Sequence, residues 1–505
     1  METRRRRRAL LSTAMAVALA AIPAGVAQAA SSDSLWTPRE LIVAFDDSVS
    51  DAAARTVVAS AGGEVRQAGQ LLRLIEACRD HVETPRMYRA VFSSEQAASD
   101  GMTKLQADAS VEWVQRNNRA GLPNDRSLDT TGAVSGTSEA PAVNDPRYPE
   151  QWGLHNNGQV IMAGYPEQPY PGKPDADIDW PEALATGADG GGQIIAVVDT
   201  GVTLDHPALA ARIWTNTGET PGNGQDDDGN GWVDDIHGYD TGVGDPDPYS
   251  TAYHGTAVAG VAAAAANDAI GTAGVAPDAR IMAIRMIATD FVTDINALNV
   301  AESFAYAIKN GADVMNNSWG WWAPGAFGDP LVVLAEACAN AAGMLVVWSG
   351  GNAGPLFDNW PNYYPVENVI RAGYFNWVGG DPAQNPTVDI LAPGEKVLAP
   401  YYGSAANPEG YGLVGGSSFA APHVAGTAAL VRSLYPQLTP AEVKRAIKAG
   451  ATPAPPLTPG SWPYGSYNPT IGRLNAAGAI AAARPPDPSG SGGGTVRSPS
   501  LQTAE

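Results

Sequence analysis

From Asp145 to about Ala483, short runs of near-continuous apolar residues alternate with stretches of helical spacing, and that alternation constrains the fold most. The runs Ile194–Val198, Ile281–Arg285, Asp313–Asn316, Met344–Trp348 and Val369–Gly373 read as strands. A strand apolar on both sides needs cover on both faces, which a parallel sheet between two helical layers supplies. Helices are expected between them, such as Asp294–Lys309, stopped by Gly311. A Thr439-Pro440-Ala441-Glu442 capping box opens another, which ends near Gly450. The fold class is therefore α/β, a doubly wound and mostly parallel sheet.

A small α+β unit is expected ahead of it. Leu41–Phe45, Met87–Phe92 and Val111–Val114 read as strands, and Asp51–Ser60 and Ser94–Ala107 as helices, with a turn at Gly62-Gly63. Asn124–Val143 is rich in Ser, Thr, Gly, Pro and Asp and has a linker's composition. The resulting division is 1–29 targeting segment, 30–140 α+β unit and linker, 141–483 main domain, and 484–505 a Pro/Ser/Gly-rich disordered tail. In the first segment, Arg4–Arg8 precede the apolar run Ala9–Ala21 and the small-residue stretch Ala27-Gln28-Ala29. This is the pattern of an export signal, too short for a membrane span. A soluble, secreted mature protein is expected, in the medium or the periplasm.

Thirty-one Lys and Arg face 53 Asp and Glu, a formal charge of −22, which argues against nucleic acid as a partner. Two cysteines, Cys78 and Cys338, make no disulfide framework, and each is expected to be a small buried apolar group.

Three segments carry the chemistry. Asp199 follows the strand Ile194–Val198, at the carboxyl end where such sheets gather functional groups, and Gly201 turns the chain away. His254 opens a helix of small residues, and Ser418 begins another, with Pro422 in its first turn. A serine hydroxyl becomes a nucleophile when an imidazole removes its proton and a carboxylate orients that imidazole. Asp-Thr-Gly alone also fits an aspartic protease, but no second such motif in comparable context supplies the partner carboxylate. An α/β-hydrolase esterase would place Ser first, within Gly-x-Ser-x-Gly. A catalytically quiet, calcium-dependent binding protein on the same fold remains the alternative.

In the order Asp, His, Ser, these segments resemble the motifs of the subtilisin-like serine peptidases. The resemblance implies a secreted endopeptidase with Ser418 as nucleophile, His254 as general base and then acid, and Asp199 as orienting carboxylate. Trp348–Gly354 resembles the segment bearing the family's oxyanion-hole amide, here Asn352. Ser318-Trp319-Gly320 matches the strand that pairs with an extended polypeptide substrate, with Asp290–Thr293 expected opposite and Trp319 and Phe291 forming an apolar subsite. Ser349, Gly350 and Gly351 would line the primary side-chain pocket. The α+β unit resembles the family's propeptides, which implies an intramolecular inhibitor cut away between Asn118 and Val143. A monomer is expected.

Calcium is the expected cofactor. Asp226, Asp228 and Asn230 alternate ahead of Gly231 and Trp232, like the first half of a calcium loop. His237 stands where a closing Glu would be, so Asp234 or Asp235 would have to serve. The resemblance implies a second loop at Asn267–Thr272, with Asp268 as side-chain ligand. The family's usual Asp after His-Pro is absent from His206-Pro207-Ala208-Leu209. Ala257 and Phe419 also depart from the usual His and Met.

Overall fold

The computed structural model describes residues 36–122, 126–127, 134–135, 143–163, 168–288, 295–321, 329–352, 366–379, 388–403, 410–454 and 471–485. The expected targeting segment, most of the linker and tail, and Asp290–Thr293 lie outside them.

The N-terminal unit runs β1 (Trp36–Phe45), α1 (Asp51–Ser60), β2 (Gly63–Arg66), α2 (Gly69–Cys78), β3 (Arg86–Phe92), α3 (Glu95–Gln106) and β4 (Val111–Gly121). Ser50 and Ser94 cap α1 and α3 by accepting from Ala53 N and Ala97 N. The sheet is antiparallel, in the order β4-β1-β3-β2. Strand alternation gives it two apolar faces. Leu41, Val43 and Phe45 pack under α1 and α3, whereas Ile42 and Ala44 join a cluster with Leu71, Leu74, Phe304 and Leu334. That second face is shared with the following domain.

The main domain contains β6 (Ile194–Asp199), β7 (Gly238–Asp240), α4 (Tyr253–Ala263), β8 (Arg280–Arg285), β9 (Ile295–Asn296), α5 (Ala297–Lys309) and β10 (Val314–Asn317). It continues with β11 (Gly320–Trp321), α6 (Pro330–Ala341), β12 (Leu345–Ser349), β13 (Val369–Phe375), β14 (Ile390–Pro393) and β15 (Tyr411–Gly415). After α7 (Ser417–Leu434) and α8 (Pro440–Ala449), β16 (Thr452–Pro453) and β17 (Gly472–Arg473) close it. Preceding β5 (Arg126–Ser127) belongs to the inter-unit linker. Nine of these described strands form a sheet in the order β7-β8-β6-β10-β12-β13-β14-β17-β16, parallel except for the last pair. Both faces are covered. Ile195 and Val197 meet α4 and α7, while Ala196 and Val198 meet α5 and α6. The chain therefore has the expected α/β, doubly wound, mostly parallel architecture.

Three features differ from the sequence reading. Helix α5 starts at Ala297, because Ile295 and Asn296 are drawn into a strand against Ala120 and Arg119, and Asn296 then caps the helix. Pro422 is the sixth residue of α7 rather than part of its first turn. Cys78 and Cys338 are buried as expected, but they are bonded to each other, with a Cα–Cα distance of 5.3 Å and a separation of 260 residues. Neither neighbourhood in sequence reveals that pairing, since α2 meets α6 only through tertiary packing.

Candidate active site

The side chain of Asp199 ends β6 and is fully buried. Its Oδ1 accepts from Thr200 N and from His254 Nδ1, both at 2.7 Å. A carboxylate can only accept, so the imidazole carries its proton on Nδ1 and presents Nε2 as the basic nitrogen. Two glycines allow this approach. Gly201 has φ +86°, and a Cβ at Gly255 would lie 2.2 Å from Gly201 O and 3.1 Å from Asp199 Cβ. The first turn of α4 is thereby seated against the strand end, and Gly255 N donates to Thr200 Oγ1 at 2.9 Å.

Ser418 is the second residue of α7, after Gly416 at φ +138°. Its Oγ donates to Ser318 O at 3.0 Å. The His254 ring lies 5.3 Å from that of Phe419, the residue after Ser418. Asn352 Oδ1 accepts from Ser417 N at 2.7 Å, and Ser417 Oγ accepts from Gly351 N at 3.0 Å. The carbonyl end of the Asn352 amide is thus fixed against the N-terminus of α7, and its other end is the donor. Asp199, His254, Asn352 and Ser418 are gathered at the carboxyl ends of β6 and β12 and the N-termini of α4 and α7.

A groove runs between Ile295-Asn296 and Gly320-Trp321, and the chain itself fills it. Strand β4 lies between β9 and β11. Gly121 pairs with Gly320, Ala120 with both Trp321 and Ile295, and Arg119 with Asn296. Ala120 is fully buried. Beyond it, Arg126 and Ser127 pair with Gly415 and Val414, three residues before Ser418. Trp319 is buried edge-on to Trp348, with ring centroids 4.7 Å apart, so it is part of the floor rather than an exposed wall. Ser349 ends β12 and Gly350 follows it, where a Cβ on Gly350 would meet Val388 Cγ2 at 2.8 Å. Phe291 and its neighbours fall outside the described residues, and Ile295-Asn296 form the opposing strand.

The acidic insertion folds as a compact loop. Carboxylate oxygens of Glu219, Asp226 and Asp228 lie within 4.8 Å of one another. Asp226 accepts from Asn230 N and Gly231 N, and Asn230 Oδ1 accepts from Trp232 N at 2.8 Å. Asp234 turns away to accept from Asn223 N and Gly224 N, each at 3.0 Å. Asp235 is buried and accepts from Tyr306 Oη at 2.7 Å; burial pushes its carboxyl up to about 6 against that hydrogen bond. The Trp232 ring is buried in the core. Glu219, absent from the sequence reading, lies outside the alternating motif and is brought in by hydrogen bonds from Asp227 N and Asp234 N.

At the second loop, Asp268 Oδ1 accepts from Ile270 N at 2.9 Å. Asp145 Oδ2 accepts from Asn267 N at 2.7 Å, while its buried Oδ1 has no hydrogen-bond partner among the described residues. Burial raises the Asp145 carboxyl, and its neighbour Asp268 adds to the shift. No local signal links Asp145 to a loop 122 residues further on.

A doubly wound domain with an Asp-bound histidine facing helix α7 and its serine defines the class of serine-type endopeptidases. Residues 190–461, more than half of the chain, match the model of the Subtilase family. The chain belongs to the subtilase family. It is 32% identical over 283 residues to subtilisin BL of Lederbergia lenta, covering 54% of this chain and 89% of that protein. Thermitase of Thermoactinomyces vulgaris is 33% identical over 249 residues, 49% of this chain and 77% of its own length. A thermophilic serine proteinase of Bacillus sp. (strain AK1) is 34% identical over 248 residues, and there the match spans only 52% of the relative. In fold, the chain is similar to fervidolysin from Fervidobacterium pennivorans, a keratinolytic enzyme related to subtilisin. The TM-score is 0.63 at 21% identity, over 90% of this chain and 62% of that one.

Proposed function

We propose that the protein is a secreted serine endopeptidase that hydrolyses extended polypeptides through an acyl-enzyme. The observation that carries this reading is the Asp199–His254 pair beside Ser418, with β4 paired along the groove as a stand-in for substrate. His254 Nε2 takes the Ser418 proton as Oγ attacks the scissile carbonyl, and Asp199 stabilises the imidazolium so formed. His254 then protonates the leaving amine, and water repeats the sequence to release the acyl group. Asn352 and the Ser418 N–H donate to the oxyanion. Main-chain pairing to an added strand explains selection of unfolded polypeptide over compact esters.

The N-terminal unit acts as an intramolecular inhibitor. Because its backbone is paired on either side of Ser418, the cut falls between Leu122 and Arg126. Calcium fits the Glu219, Asp226 and Asp228 oxygens, since a hard cation takes carboxylates and neutralises their repulsion. The pair Asp145 and Asp268 offers a second, weaker oxygen set, with Ala208 standing where the family has a further carboxylate. These residues hold the ion in a structural role and take no part in bond cleavage.

The test is labelling with a fluorophosphonate probe, together with N-terminal sequencing of the mature form. The proposal expects labelling at Ser418 and a new terminus within 123–126, with both lost in Ser418→Ala. A Ser418→Ala protein that matures itself and cleaves peptides would end it. Failure of the wild type to label even after treatment with a thiol reductant would favour the quiet binding protein.

A further inference from the structure

The two cysteines of this chain lie on opposite sides of the expected cut and are joined. Cys78 is the last residue of α2 in the N-terminal unit, and Cys338 lies in α6 of the main domain. Any backbone cleavage between them leaves two pieces connected through sulfur.

The surrounding interface reinforces the connection. Arg73 of α2 forms an ion pair with the buried Glu302 of α5, and its guanidinium sits 5.2 Å from the centre of the Trp232 ring. At the other end of α6, Gln115 Oε1 accepts from Leu331 N at 3.1 Å, and Asn118 Nδ2 donates to Asp329 Oδ2 at 3.1 Å. Both of those polar residues belong to β4, so helix α6 holds the inhibitory strand at its N-terminus and the disulfide towards its C-terminus.

We propose that Cys78–Cys338 is a retaining tether. After the linker is cut, the N-terminal unit stays bonded to α6 and keeps β4 in the groove, and a thiol reductant is what releases it. This rests on the reading of β4 as an inhibitor. An untethered inhibitor would leave by dilution. A tethered one experiences an effective concentration of about 1 mM, so an intrinsic Kd of about 1 μM would still leave the groove filled about 1,000 to 1. The chemistry balances with an external dithiol. One of its thiolates attacks a sulfur of the pair and expels the other cysteine as thiolate. Its second thiol then resolves the mixed disulfide, so the dithiol is oxidised and Cys78 and Cys338 leave as two thiols. With only two cysteines in the chain, no internal thiol can do this by exchange. Both sulfurs belong to fully buried residues, so α2 must lift from α5 and α6 before the attack.

The experiment uses the full chain after self-processing, compared with a Cys78→Ser, Cys338→Ser variant. Where processing is incomplete, brief trypsin treatment after Arg126 supplies the nick. Under denaturing, non-reducing conditions the nicked wild type should run as one species with two N-termini, and separate into two with dithiothreitol. Peptidase activity should rise about tenfold or more on adding dithiothreitol to the nicked wild type, while the variant is active without it. If the variant fails to fold, the wild-type arms decide alone. Three results would each overturn the proposal: a nicked wild type that sheds the unit without reductant, two cysteines alkylated before reduction, or full activity with the tether intact. Fluorophosphonate labelling after reduction separates the two readings. A joined species that never labels at Ser418 rejects the peptidase function and leaves the bond itself established.

Discussion

Ser318 and Ser418, 100 residues apart, exchange hydrogen bonds: Ser318 Oγ donates to Ser418 O at 2.7 Å, and Ser418 Oγ donates to Ser318 O at 3.0 Å. In an uninterrupted helix the Ser418 carbonyl would accept from the N–H four residues on. That residue is Pro422, which has none. The proline therefore frees the carbonyl of Ser418, the proposed nucleophile, and the Ser318 hydroxyl takes the place of the missing donor.

Ser318→Ala should leave the buried Ser418 carbonyl unpaired and lower stability by about 1–3 kcal/mol. Pro422→Ala restores a helical N–H at that point. The double variant should recover part of the loss, with a coupling of about 1 kcal/mol in urea unfolding. Additive losses would mean that the two residues do not act on one carbonyl.

Asn352→Ala should lower kcat by about 100- to 1,000-fold and leave KM within about threefold, since the oxyanion forms only after binding. Steady-state kinetics on a fluorogenic peptide checks this. An equal change in KM with kcat intact would reassign the amide to ground-state binding.

Removal of calcium by a chelator should lower the thermal midpoint. Saturation at 100 times Kd contributes about 3 kcal/mol, or roughly 4 °C for a domain of this size. Asp228→Asn should remove much of the chelator response. Calorimetry in a Ser418→Ala background avoids self-digestion, and an unchanged midpoint would show that the Glu219–Asp226–Asp228 oxygens hold no stabilising ion.

Stability should fall in mild acid because of His423. The ring is buried, which pushes it down to about 4, while its Nδ1 lies 2.7 Å from Phe419 O. Between pH 6.5 and 4 the unfolded chain binds a proton that the folded protein refuses, so stability rises with pH through that window. The full contribution is present above 6.5 and is lost as pH drops, by about 3 kcal/mol in total. Urea titrations at pH 7 and 4.5 should show this slope, and His423→Leu should flatten it whatever its own packing cost.

Most of the sheet and the capped helices were legible because their signals are local. Ser50, Ser94 and Thr439 sit beside the helices they cap, and the strand runs from Ile194 to Val369 show their burial directly in composition. Helix α2 was not legible, since Gly69 and an uncapped Ala68 give it no start signal and its apolar face is completed only by α5 and α6. The acidic loop proposed to hold a metal was half legible. Asp226, Asp228 and Asn230 alternate within five residues, but Glu219 joins them only when the loop closes.

By itself, the sequence determined the identity and order of Asp199, His254 and Ser418, the α/β alternation, and the small residues that let helices approach strand ends. Those depend on short-range propensity and on which side chains exist. Tertiary structure alone decided that β4 threads between β9 and β11, that Asp145 reaches the Asp268 loop, and that Cys78 meets Cys338. Each of these joins segments more than a hundred residues apart, where contact is set by how two sheets and their helices pack rather than by any local preference of the chain.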